Sequence, residues 1–306
     1  MVKFLKKNYE LFLSDETQKV SERVILKIAI ASFLIHLSII CLVEFGLIKM
    51  ENPSDFFQNP IAAIYTPFSF ILIYEVYLLI YYIPKSFTTY ISKQYEIIVL
   101  IIIRRLFKDL SSLSLSPNWF KIKYDLQFTY DLVASVLLFF LIFLFYKQSK
   151  LRFSNEDINT YQSENILSFI KVKKLLATIL VPVVFVLAIY SLINWLFQTY
   201  NSTTNAEIAF SNINNVFFEQ FFTILIIVDV ILLLFSFFHT DQFHKVIRNS
   251  GFIISTILIR ISFSVSGLLN TVLITSAIIF GLLILFIYNK FEKQLALEKN
   301  LLITKT

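Results

Sequence analysis

Long apolar runs, separated by short polar segments, dominate this chain between residues 24 and 289. Several of these runs approach or exceed the roughly 20 residues that a helix needs to cross the hydrocarbon core of a bilayer. The pattern therefore predicts an all-α polytopic membrane protein with about eight transmembrane helices. The predicted spans are residues 24–48, 61–83, 95–114, 130–147, 174–198, 216–238, 250–266 and 267–289. Composition agrees, because 57% of the residues are hydrophobic.

Lysine and arginine residues set the predicted orientation, since the cytoplasmic loops of membrane proteins carry an excess of them. Most basic residues collect in the N-terminal segment, in the linker 148–173, in short loops on the same side and in the tail 290–306. The opposite loop, residues 199–215, has none. We therefore expect both termini in the cytoplasm. The expected location is a bacterial inner membrane. Lysines within 108–123 disagree, and they leave open that the third span does not cross.

Two similar segments indicate an internal repeat. Ile73–Ile80 aligns with Ile227–Leu234, so that Glu75 in the first segment matches Asp229 in the second. Four spans per copy is an even number, and both copies would insert in the same direction, as in transporters built from parallel repeats. The predicted organisation is an interfacial segment (1–23), a first four-helix repeat (24–147), a cytoplasmic linker (148–173), a second four-helix repeat (174–289) and a cytoplasmic tail (290–306).

Acid and arginine follow the same order in both predicted repeats. The stretch that ends at Arg104 aligns with the one that ends at Arg260, and each lies one span after its acid, Glu75 or Asp229. Counted along the helix, these four residues lie about 12–15 Å from the inner ends of their spans. Arg105 adds a fifth charge. Charges at such depth cost a few kcal/mol unless they find partners, so Glu75–Arg104 and Asp229–Arg260 ion pairs are predicted. Such pairs either lock helices together or line a hydrated path for an ion or proton.

These four-helix units with an acid in the second helix resemble voltage-sensor domains in topology. The resemblance covers nearly the whole chain and implies a sensor-like bundle in each half. Voltage sensors carry several arginines at every third position of the fourth helix, whereas Tyr130–Lys147 has only its terminal lysine. Arg104 and Arg105 are adjacent and point about 100° apart on a helix. The gating stripe is therefore missing, and strong voltage sensing is not expected.

Further polar residues within the spans are candidates for a pore or a proton relay: His36, Glu44, Asp131 and Glu219. A lone intramembrane histidine is more often a hydrogen-bonded packing residue than a relay. The three carboxylates lie near the outer ends of their predicted helices, where we expect them to reach water. Clustered at a pore mouth, they would attract cations.

The predicted cytoplasmic face is basic. Lys171, Lys173 and Lys174 are candidates for binding an anionic regulator such as a nucleotide or an oligonucleotide, although attraction to anionic lipid also accounts for such charge. Ser14, followed by Asp15 and Glu16, is typical of a helix N-terminus within an interfacial segment.

No catalytic motif is recognisable, and neither an enzyme nor a bound cofactor is expected. His239 and His244 flank Asp241, but two histidines five residues apart in a short loop are not typical of a zinc site. The favoured function is a gated ion-conducting channel, expected as a homo-oligomer. One form of this hypothesis is a bacterial antiviral defence effector that depolarises the cell when a cytoplasmic partner signals. The alternatives are a proton-coupled secondary transporter and a structural membrane subunit that recruits a soluble partner.

Overall fold

The computed structural model describes residues 2–47, 60–110, 123–151, 164–201, 206–239, 242–265 and 267–303. These ranges are helical apart from short turns and contain no strand, which confirms the predicted all-α class. In chain order the helices are α1 (Val2–Leu13), α2 (Asp15–Glu44), α3 (Tyr65–Tyr82), α4 (Phe87–Leu110), α5 (Lys123–Ser149), α6 (Glu164–Asn201), α7 (Ala206–His239), α8 (Phe243–Ser262) and α9 (Leu268–Ile303). A short 3₁₀ helix, Pro60–Ile64, precedes α3.

Helix α2 has a polar cap at its beginning and a glycine at its end. The Ser14 side chain accepts a hydrogen bond from the Thr17 amide at 3.1 Å, and this confirms the predicted helix start. At the other end Gly46 has a φ of 71°. Its amide donates to the Val43 carbonyl, and the next amide donates to the Leu42 carbonyl. This pair of bonds is a Schellman motif, which satisfies carbonyls that the helix leaves open.

Four stretches within the described helices are long and apolar enough to cross a membrane: Lys7–Glu44, Asp125–Ser149, Gln220–Phe238 and Leu268–Glu298. They correspond to the first, fourth, sixth and eighth predicted spans. Thr66–Tyr82 is a shorter apolar helix at the second predicted span. The remaining three predicted spans fall on α4, α6 and α8. That these helices also cross, and that the chain is two repeats of four, stay predictions.

Helix α5 has one buried face and one exposed apolar face. Ala134, Leu138 and Phe145 lie on one face and are at most 2% exposed. Val136 and Phe139, on the other side, are 69% and 71% exposed. An exposed apolar stripe of this kind suits contact with lipid, because hydrocarbon tails are as apolar as the side chains that face them.

The chain divides into two compact units, and each is described by itself. Unit 1 comprises Met1–Tyr81, Leu100–Leu132 and Ala177–Ile224. Unit 2 comprises Tyr82–Val99, Val133–Leu176 and Leu225–Thr306.

The core of unit 2 joins α4, α5, α8 and α9. Tyr95 packs edge-on against Phe145 at 5.1 Å between ring centroids, and Phe145 packs against Phe252 at 5.7 Å. The Tyr95 hydroxyl lies 2.7 Å from the Ser255 hydroxyl. Gly281 on α9 leaves the space that the tyrosine fills, since a Cβ there would lie only 1.9 Å from the Tyr95 oxygen.

Candidate functional site

The two adjacent arginines of α4 serve two different acids within unit 1. Arg105 forms a bidentate ion pair with Asp131 of α5, with Nε–Oδ2 at 2.5 Å and Nη2–Oδ1 at 2.6 Å. Arg104 interacts electrostatically with Glu75 of α3, which is 6% exposed. The division follows from helix geometry, because consecutive side chains point about 100° apart.

Asp131 departs from the sequence-based interpretation. We expected it near water at the outer end of its span, but it is fully buried. Both of its carboxylate oxygens bind Arg105, and Oδ1 also accepts a hydrogen bond from Gln127 at 3.0 Å. Burial was missed because the acid was assessed by its position along the helix, without the partner that a neighbouring helix supplies. Bidentate arginine–carboxylate pairs of this kind are strong and geometrically specific.

The other pore or relay candidates have separate surroundings. His36 is 5% exposed, and its Nδ1 lies 2.5 Å from the Thr66 hydroxyl, as a hydrogen-bonded packing residue would. Glu44 is exposed in the last turn of α2. The side chain of Glu219 lies outside the described residues.

In unit 2, Asp229 of α7 has uncharged polar side chains as its hydrogen-bonding neighbours, and the charge of Lys173 also acts on it. It is 1% exposed, and its Oδ2 accepts a hydrogen bond from Gln94 of α4 at 3.2 Å. Tyr90 and Thr256 also lie near enough to interact with the carboxylate. By strict hydrogen-bond geometry neither the Tyr90 hydroxyl nor Asp229 Oδ1 has a partner within the described part of the chain. Tyr90 can nevertheless donate its hydroxyl proton to the neighbouring carboxylate.

Arg260, the predicted partner of Asp229, lies in the last turn of α8 and is half-buried. Thr256, one turn earlier on the same helix, acts on Asp229. The described neighbours of this carboxylate thus differ from those that the repeat implies, and the Asp229–Arg260 ion pair stays a prediction.

Lys173 is a buried cation beside this cluster. It is 4% exposed, its ammonium donates to the Lys85 carbonyl at 2.8 Å, and it lies over the rings of Phe87 and Phe169. Burial and the nearby charge of Arg248 lower the pKa of Lys173 from 10.5 to about 7, against the opposing influence of the acid on α7. Lysine responds readily in this way when it is desolvated.

The predicted anion-binding lysines therefore have different surroundings. Lys171 and Lys174 are exposed, whereas Lys173 points inward and is not available to a soluble anion. Lys173 is the last residue of the predicted linker, and its burial was missed because all three lysines were assigned to one cytoplasmic surface.

A second polar cluster connects α8 with α9 in unit 2. His244 pairs with Glu292, with Nε2–Oε1 at 2.9 Å, and its ring stacks on Tyr288. The Arg248 guanidinium lies 4.3 Å from the centre of the same tyrosine ring. His244 thus interacts with an acid on the next helix. The side chain of His239 and residue Asp241 lie outside the described residues.

Sequence reasoning missed Tyr90, Gln94 and Thr256, which surround the acid on α7. Uncharged polar residues near span ends are common, and only their meeting in space distinguishes these three. Comparisons with protein-family models, with curated proteins and with solved structures find no match to this chain.

Proposed function

We propose that this chain is a gated ion-conducting membrane channel. The observation that carries the proposal is Asp229, a buried carboxylate on an apolar helix with one oxygen that no described group satisfies. Intramembrane acids are rare and costly, and they commonly mark ion or proton pathways. A carboxylate that served only to hold helices together would be expected to have both oxygens occupied, as Asp131 has.

The predicted placement completes the proposal. Both termini lie in the cytoplasm, as the distribution of lysine and arginine favours, and several copies of the chain assemble around the conduction path. A cytoplasmic partner or an anionic ligand controls opening. Lys171 and Lys174, which are exposed, are the lysines of the predicted trio that such a regulator can reach. A defence effector that depolarises a bacterial cell is one biological use of such a channel.

A proton-coupled secondary transporter is the second candidate, and the same unsatisfied oxygen favours it. A buried carboxylate with an open oxygen can take up one proton and release it later, which is the property that coupling requires. The two candidates differ in kinetics, because a channel passes many ions per opening whereas a transporter moves a fixed number per conformational cycle.

Purified protein in planar bilayers tests the proposal directly. A channel gives stepwise single-channel currents, and Asp229→Asn should change their amplitude or abolish them. Glu96→Gln is the matched control, since this acid lies in the same unit but is partly exposed and paired with Lys93 at 2.7 Å. Wild-type protein that gives no steps under any voltage or anionic ligand, but shows proton-dependent uptake into liposomes, would establish the transporter instead. Silence in both assays would leave the structural-subunit alternative.

A further inference from the structure

We infer that the first part of α2 carries a binding surface for an anionic phospholipid. Its charged component is a basic row formed by Lys19, Arg23 and Lys27, which are spaced four residues apart along the helix and are all exposed. Residues four apart lie on the same side of an α-helix, so the three cations form one row about 12 Å long. The whole surface belongs to unit 1, and it is independent of what the protein conducts.

The charge of the basic row is not neutralised within the described part of the chain, where none of its members forms an ion pair. Two acids of the same helix bind α3 instead. Asp15 accepts a hydrogen bond from the Tyr81 hydroxyl. Glu22 accepts hydrogen bonds from Gln18 and from the Tyr74 hydroxyl, each at 3.3 Å. The row therefore keeps positive charge that an external anion can neutralise.

The position of the basic row along α2 matches the lipid headgroups. Residues 28–43 contain no aspartate, glutamate, lysine or arginine, and as a helix they are about 24 Å long. The hydrocarbon core of a bilayer is about 30 Å thick, so this stretch fits within it and Lys27 lies at its edge. Long basic side chains at that depth extend outward to the headgroups. Arg23 then lies in the headgroup layer and Lys19 at its outer side, whereas the exposed acid Glu16 lies one turn farther from the lipid.

A second row of exposed side chains favours an amphiphilic anion over a soluble one. Val20, Val24 and Ile28 each follow a member of the basic row, and they are 58%, 48% and 41% exposed. Adjacent residues point about 100° apart, so this aliphatic row runs beside the basic row. It leads into the apolar surface of the same helix, where Leu34 and Ile35 are 55% and 62% exposed. A phospholipid covers both rows, with its phosphate on the cations and its chains along the apolar surface, whereas a nucleotide would leave the aliphatic row in water.

Arg23 lies at the centre of the basic row. Its planar guanidinium can bind two oxygens of one phosphate, which a lysine ammonium cannot do with the same geometry. Lys19 and Lys27 add positive charge from either side. A basic residue near an anionic lipid surface increases binding roughly fivefold, so the three together should prefer an anionic headgroup by about a hundredfold.

The test is native mass spectrometry of the full-length protein in detergent, titrated with phosphatidylglycerol or with phosphatidylcholine of the same acyl chains. Wild-type protein should bind the first phosphatidylglycerol about a hundredfold more tightly than phosphatidylcholine. Arg23→Gln should reduce this preference about fivefold. The triple variant Lys19→Gln, Arg23→Gln and Lys27→Gln should bind both lipids equally. All the replaced side chains are exposed, so these variants should keep the thermal unfolding midpoint of the wild type.

A matched control removes the same charge from unit 2. Lys147, Lys150 and Lys293 are exposed, and their joint replacement by glutamine should leave the preference for phosphatidylglycerol unchanged. Val20→Ser with Val24→Ser should weaken the binding of both lipids to a similar extent, because the aliphatic row contacts the part that the two lipids share.

Three outcomes would overturn the inference. The first is equal affinity of wild-type protein for the two lipids. The second is a control triple variant that loses as much preference as the variant of the basic row. The third is displacement of phosphatidylglycerol by ATP, an RNA oligonucleotide or inorganic phosphate at micromolar concentration, which would assign the basic row to a soluble anion. Because the assay measures no current, its result is separate from the test of the channel.

Discussion

Asp131 in unit 1 and Asp229 in unit 2 are both aspartates buried on apolar helices, but their oxygens have very different partners. Asp131 is saturated by a bidentate arginine and a glutamine. Asp229 has one glutamine bond and one open oxygen. The first arrangement holds two helices together by an ion pair, and the second surrounds the acid with uncharged polar side chains. The comparison shows that the position of an acid along a predicted span does not reveal its role. The hydrogen-bond and ion-pair partners of its two carboxylate oxygens are more informative.

The largest effect should come from breaking the saturated pair. Arg105→Met leaves the buried Asp131 without its guanidinium, and removal of one partner of a buried ion pair typically costs about 3–5 kcal/mol. Because Arg105 is about one-third exposed, we expect the lower end, about 3 kcal/mol. The measurement is the free energy of unfolding in mixed micelles.

The double variant Arg105→Met with Asp131→Leu is the control for this first prediction. Replacement of both partners by apolar residues removes the unpaired charge and should restore most of the stability. A single variant as stable as the wild type would show that the pair does not hold the helices.

Unit 2 should depend more on close neutral packing than on ion pairs. Gly281→Ala places a Cβ on the Tyr95 oxygen and should destabilise the protein by about 2 kcal/mol, as overpacking does. Adding Tyr95→Phe removes the oxygen at 1.9 Å and leaves the ring carbon at 3.0 Å, so it should recover part of the loss. Thermal unfolding of the three proteins measures this, and an unchanged midpoint in Gly281→Ala would contradict the contact.

The pH dependence of the free energy of unfolding should show the contribution of Lys173, which lies near Asp229. The folded protein lowers the pKa of Lys173 to about 7 from 10.5, so between these values the unfolded state binds more protons. Stability therefore rises with pH in this window, by at most about 1.4 kcal/mol per pH unit, and levels off below it. Unfolding measured from pH 6 to pH 10 should show this slope in wild-type protein and in Lys171→Met. An unchanged slope in Lys173→Met would contradict the assignment.

The smallest change in stability should come from Asp229→Asn. This carboxylate is not saturated, so removing its charge costs little and relieves the cost of burying it, and stability should stay within about 1 kcal/mol of the wild type. The matching Asp131→Asn leaves Arg105 without its counterion and should cost several times more. The measurement is the free energy of unfolding of both variants by chemical denaturation in one detergent. An equal decrease in the two would contradict the proposed difference between Asp131 and Asp229.

The sequence predicted the helices well and their contacts only in part. Apolar runs and the Ser14 cap identify helices because these signals are local. The separation of Arg104 from Arg105 was also predictable, since it follows from helix geometry alone. The Arg105–Asp131 pair was not, because it depends on which faces of α4 and α5 meet. The surroundings of Asp229 were missed for the same reason, as they assemble from residues more than a hundred positions apart.

The two arginines of α4 also restrict how this helix can move. Arg104 acts on an acid of α3 and Arg105 is fixed to α5, at azimuths about 100° apart. Turning α4 about its own axis in either direction would pull at least one guanidinium from its carboxylate. Any rearrangement that keeps both contacts must carry this part of α4 with α3 and α5 as a single rigid block, which leaves sliding or tilting of the whole block as the permitted motion.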